Sequence, residues 1–159
     1  MGNPILGDDG VGWHVVDELE RRLAADPALR ATLGEVALDR MAVGGLALME
    51  RLVGHPRAVL VDALLDGGVP GTVTRQPLDE LAGRAAGHLD SAHDVPLTVA
   101  ITAGRALGAE LPADVVVVGI SARVVDRFAA DLSPALAAAV PAAVEAVIEA
   151  LTRTPAGVA

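Results

Sequence analysis

Residues 114–121 read DVVVVGIS, four consecutive valines bounded by an acid and a glycine. An unbroken β-branched run of this length fits a strand covered on both faces, because a strand with one wet face alternates apolar and polar residues. A second run, RAVLVDAL at 57–64, has the same character and ends in a carboxylate, Asp62. Helical patterns lie between and around the two, so the chain reads as strands alternating with helices. Trp13 and Phe128 are the only aromatic residues. The core must therefore be aliphatic, which suits a parallel sheet under alanine-rich helices.

The expected architecture is α/β: a three-layer sandwich with a mostly parallel sheet and helices on both faces. A first helix carries Val11, Val15, Val16, Leu19 and Leu23 on one side, with Asp17, Glu18, Glu20, Arg21 and Arg22 on the other, and Pro27 ends it. A short strand is expected at 35–38, a helix at 46–53, a strand at 71–78, and helices at 78–89 and 96–107. Ser133 and Pro134 open a last helix, in which Pro141 should cause a kink or a break. Residues 1–153 are expected to form one domain, with 154–159 a frayed tail. A glycine-rich loop entering a first helix is normally fed by a strand, and only Met1 precedes Gly2. The first strand is therefore expected to be missing from this chain.

A net charge of −9 repels phosphates and anionic membrane surfaces, which argues against a nucleic acid partner. There is no cysteine, hence no disulfide and no thiol nucleophile. The start lacks the pattern of a secretory signal, and the apolar stretches are short or interrupted by Pro141, Glu145 and Glu149. A cytoplasmic protein that does not span a membrane is the expectation.

The opening GDDGVG places Asp8 and Asp9 at the entry to the first helix. Open α/β sheets bind ligands outside the carboxyl ends of their strands, which brings Asp9 and Asp62 to the same edge. Two carboxylates about 4 Å apart repel by about 4 kcal/mol at an effective dielectric of about 20, so a cation, a shared proton or hydrogen-bond donors must offset the repulsion. His93, in the loop LDSAHDVP, is within reach of that edge. Two carboxylates and an imidazole suit zinc, nickel or a similar divalent ion. Plainer readings stand beside this one: Asp8 and Asp9 as helix-capping acids, Asp62 as a turn residue, and His93 as a surface residue. GDDGVG is no phosphate loop, since it lacks the P-loop lysine and its acids would repel phosphate. The residues by themselves yield a metal or acid–base site without a substrate.

The stretch GNPILGDDGVGWHVVDELERRL closely resembles the N-terminal signature of the hydrogenase maturation proteases. The similarity continues through AVGGLALMERL, VLVDAL, SAHDVPL, VVVVGI and SPALAAAV, nearly the whole chain. The resemblance implies a twisted sheet between helices, and an endopeptidase that removes the C-terminal extension of the large-subunit precursor of a nickel-iron hydrogenase. Carried over by motif, Asp9, Asp62 and His93 are the implied metal ligands, with Asp9 standing where some relatives have Glu. Nickel would arrive in the precursor, with zinc or a similar ion held at rest. Either the metal activates water or Asp9 or Asp62 acts as general base. Metal-dependent recognition with water as nucleophile is favoured, because no Cys and no Ser-His-Asp arrangement is evident. Asp8, Asp39 and His55 are candidate supporting residues, and a monomer is expected. The alternatives are a noncatalytic metal- or peptide-binding chaperone and another small metallohydrolase.

Overall fold

A computed structural model describes residues 1–81 and 95–153. After a 3-10 turn at Gly7–Gly10 come α1 (Val11–Ala25), α2 (Pro27–Leu33), α3 (Gly45–Leu52), β1 (Arg57–Leu64) and β2 (Val73–Pro77). A second 3-10 turn at Leu78–Leu81 is followed by α4 (Leu97–Ala106), β3 (Asp114–Ser121) and α5 (Pro134–Thr152). The sheet has the order β1-β3-β2, with β1 parallel and β2 antiparallel to β3. The valine run is thus the central strand.

β1 and β3 each feed two cores. Val61 and Ala63 of β1, with Val118 and Ile120 of β3, meet Val11, Val15 and Leu19 of α1 and the buried stripe of α5. Leu60 and Leu64, with Val115 and Val117, meet Leu48 and Leu52 of α3 and Leu97 and Ile101 of α4. Side chains alternate between the faces of a strand, so Asp62 lies on the α3/α4 face. The expected sandwich with helices on both faces of the sheet is what forms, and the sheet is mixed where a mostly parallel one was expected, one of its two pairings being antiparallel.

Local expectations are met unevenly. α1 ends at Ala25, just ahead of Pro27 as expected, and Pro27 does more than end it. With φ preset for a first helical position, it starts α2, and the Asp26 side chain accepts from the Ala28 and Leu29 N–H groups at 2.9 and 3.0 Å. No strand forms at 35–38, where the chain instead passes from Leu38, packed on the α1/α5 side, to Met41 on the α3/α4 side. Pro141 does not break α5. Both Pro141 and Ala137, whose carbonyl loses its intrahelical donor, are exposed, so the lost bond falls on the solvent side of the helix. The helix expected at 78–89 is described only over the turn Leu78–Leu81, and the rest lies outside the described residues.

Among the described residues, α5 alone is long and apolar enough to cross a bilayer. It is built as a core helix instead. Leu136, Ala139, Ala143, Val144, Val147 and Ala150 are buried, while Glu145 pairs with Arg22 and Glu149 with Arg75.

Candidate functional site

The site starts from glycines that let three backbone segments touch. Gly12, in the first turn of α1, has no room for a side chain: a β-carbon there would lie 2.5 Å from both the nitrogen and the oxygen of Met1, and 2.6 Å from the Val61 carbonyl oxygen of β1. Met1 is clamped between α1 and β1, its nitrogen donating to that same Val61 oxygen at 2.6 Å. Gly2, at φ 103°, then turns the chain so tightly around Asp9 that a β-carbon would run into the Asp9 carbonyl.

This wrapping buries Asp9, which is 2% exposed in its 3-10 turn. Its Oδ2 accepts the Asn3 N–H at 2.7 Å. Asp62, near the carboxyl end of β1, has no exposed surface, and its Oδ1 accepts the Ala63 N–H at 3.0 Å. Burial pushes the Met1 amino group down from its ordinary pKa, while the charges of Asp62 and Asp9 both pull it up. Both acids therefore lie near enough to this buried nitrogen for their charges to act on it.

Asp8 does something else. The N-cap of α1 is Gly10, and no side chain caps that helix. The Asp8 Oδ1 instead accepts the N–H of Ser133, the N-cap residue of α5, at 2.6 Å. Neither acid of the pair is the side-chain cap of α1. A tie across the whole chain leaves no trace in local sequence. Ser121 was also missed: it is buried at the end of β3, and its hydroxyl donates to Asp66 Oδ2 at 3.1 Å. Asp66 accepts the Gly68 N–H at 2.9 Å as well, so this latch shapes the turn that follows Asp62. The Asp-Gly-Gly sequence at 66–68 was the available hint.

His93 lies outside the described residues, as does His88. His14 is exposed on α1. His55 is exposed ahead of β1, seven residues before Asp62. At about 3.3 Å per residue it sits about 20 Å away at the opposite edge of the sheet, and it does not support the site. Asp39 is engaged with Arg51, whose guanidinium holds its carboxyl below the usual range. Among the described residues no three of His, Cys, Asp and Glu group to hold a metal. Asp9 and Asp62 form a pair of buried oxygen donors, whose chemistry fits a divalent cation in need of one or more further ligands. The same pair offers a carboxylate to take a proton from water.

The HycI hydrogenase maturation protease family model matches residues 13–150, beginning just after the motif that holds Asp9. Among solved structures, the hydrogenase maturating endopeptidase HybD from E. coli shares 21% identity, covering 94% of this chain and 87% of that one, with a TM-score of 0.65. The nickel-iron hydrogenase maturation protease HybD from Thermococcus kodakarensis shares 24%, covering 96% and 95%, with a TM-score of 0.64. A hydrogenase 2 maturation peptidase from a Thaumarchaeota archaeon shares 26%, covering 94% and 93%, with a TM-score of 0.57. Comparison with curated protein sequences gives no match. With most of its length matched by the family model and its fold shared with these enzymes, the chain belongs to the hydrogenase maturation protease family and is a maturation endopeptidase.

Proposed function

We propose that this endopeptidase removes the C-terminal extension of a nickel-loaded precursor of a nickel-iron hydrogenase large subunit, acting as a monomer in the cytoplasm. Asp9, Asp62 and His93 meet the nickel that the precursor carries. The observation that supports this reading most is the match of the family model over residues 13–150, together with the burial of both Asp9 and Asp62. Nickel is here part of the substrate. A precursor that lacks it forgoes the bonds to these side chains and binds weakly, which makes cleavage conditional on metal loading.

Water is the nucleophile in this reading, since the chain has no cysteine and its sequence shows no Ser-His-Asp arrangement. Asp9 or Asp62 accepts its proton as it attacks the scissile carbonyl and returns that proton to the peptide nitrogen as the C–N bond breaks and the C-terminal extension leaves. A zinc or similar divalent ion held at rest by the same carboxylates and the imidazole would supply Lewis acidity.

The test is incubation of the wild-type chain with nickel-loaded and with metal-stripped precursor, followed by gel mobility. The loaded precursor is shortened and the stripped one is not. Asp62→Asn and His93→Ala abolish processing while the far-ultraviolet melt is retained. Cleavage by both variants removes the assignment of these residues, and co-elution of the wild type with uncut loaded precursor makes the chain a chaperone instead.

A further inference from the structure

The carboxyl edge of the sheet carries a surface that the proposed chemistry does not use. Leu6 and Ala129 form an isolated parallel bridge, in which the Gly7 N–H donates to the Ala129 oxygen at 3.0 Å and the Ala129 N–H to the Ile5 oxygen at 3.2 Å. The residues just before the bridge, Ile5 and Phe128, therefore lie side by side. Both face solvent, Ile5 at 58% and Phe128 at 79% exposure, and Val124 on the same segment is 45% exposed. The only phenylalanine of the chain is thus left in water.

Arg123 and Arg127 precede Val124 and Phe128 directly and are exposed. Neither forms an ion pair among the described residues, and Asp126 and Asp131 of the same segment are not bound to them, whereas Arg40 and Arg51 are tied to carboxylates. In a chain of net charge −9, residues 123–131 balance two arginines with two aspartates, and the arginines hold no carboxylate among the described residues. Ile5 is also continuous with the site: its N–H donates to the Asn3 side chain at 3.2 Å, and the Asn3 N–H donates to Asp9.

We propose that Ile5, Val124 and Phe128, flanked by Arg123 and Arg127, form the docking surface for the substrate polypeptide beside the scissile bond, and that the docked segment is extended and carries a large apolar side chain flanked by carboxylates. The inference rests on the proposed cleavage of a polypeptide precursor. The apolar side chain covers Phe128 and Ile5, and the carboxylates neutralise the two arginines. A docked backbone lies next to the loop that holds Asp9, which delivers the scissile bond to the carboxylates.

The experiment measures binding of the loaded large-subunit precursor by biolayer interferometry alongside the kinetics of its cleavage. Phe128→Ser and the double variant Arg123→Gln/Arg127→Gln each weaken binding and raise KM by about tenfold, as for loss of an interface anchor, with unchanged melting temperature. Added salt weakens binding by the wild type and not by the double variant. Leu107→Ser, 89% exposed after α4 at the opposite edge, changes neither value. Unchanged affinity and KM in both site variants overturn the proposal. So does a fall in kcat at constant KM, which would mean that the segment acts only through the Asp9 loop. Sedimentation showing a wild-type dimer that Phe128→Ser dissolves assigns the surface to a second copy and overturns it too. If the wild type binds the precursor through Phe128 and leaves it uncut, the docking surface stands and the cleavage reading falls.

Discussion

Asp62 of β1 stands in register with Gly119 of β3, so the neighbour of the buried carboxylate on the central strand has no side chain. On the far side of Gly119 the register partner is Thr74 of β2. A β-carbon at 119 would run into the buried Leu64 side chain and come within 3.2 Å of Thr74 Oγ1. Gly119→Ala should therefore destabilise the fold by about 1–3 kcal/mol, the usual cost of overpacking, as read by urea unfolding. It should slow precursor processing as well, because Leu64 and Asp62 share that face of the strand.

The tie from Asp8 to Ser133 joins the loop of the site to the start of α5. A hydrogen bond to an ionised acceptor contributes about 1.5–3 kcal/mol. Asp8→Ala should lose that amount in chemical denaturation and cleave more slowly, since its neighbour is Asp9. Asp8→Asn keeps an acceptor oxygen and should recover part of both losses. Equal behaviour of the two variants would remove the role given to the hydrogen bond.

At Gly12 every close neighbour of an added β-carbon is backbone, from Met1 and from Val61. Rotamer changes offer no relief there, so α1 must move away from β1. Gly12→Ala should cost at least about 1–3 kcal/mol and abolish or greatly slow processing, because the displaced elements carry Asp9 and Asp62. A variant with wild-type stability would show that the packing of α1 against Met1 is loose.

Glu18 on α1 accepts from Arg21 and Arg22, and Arg22 also pairs with Glu145 of α5. These two guanidinium groups hold the Glu18 carboxyl at about 2, against an ordinary 4.5. A lowered folded-state pKa means that the stabilisation is present above pH 4.5 and is lost as pH falls toward 2. Thermal melts of Glu18→Gln should therefore lie slightly below the wild type at neutral pH and merge with it near pH 2. High salt should shrink the neutral-pH difference, as for any exposed ion pair.

Some of the molecule is written in short stretches. DVVVVGIS and RAVLVDAL determine buried strands because continuous β-branched and aliphatic runs are stable only with both faces covered. The apolar spacing of α1 and the Ser133-Pro134 start of α5 determine helices for equally local reasons. GDDGVG and VDA were enough to expect Asp9 and Asp62 at one edge of the sheet, since strand ends in such sheets share an edge.

Other features depend on contacts between distant segments. Residues 35–38 have a strand-like composition and form no strand, because a strand needs a partner backbone and this segment crosses between the two cores. Pro27 ends one helix and starts the next, a choice made by the side chain of Asp26. Asp8 looks like a cap for the helix that follows it, and only the position of Ser133 gives it to α5.

The sequence by itself determined the alternation of elements, the aliphatic two-sided core and the acids that stand at the strand edge, because those follow from periodicity and backbone preference within a few residues. Tertiary structure alone decided that Asp9 is sealed under Gly2 and Asn3, that Gly119 stands beside Asp62, and that Phe128 is left in solvent next to Ile5. Each of these is a matter of which surfaces touch, and contact between segments far apart in the chain is settled by packing.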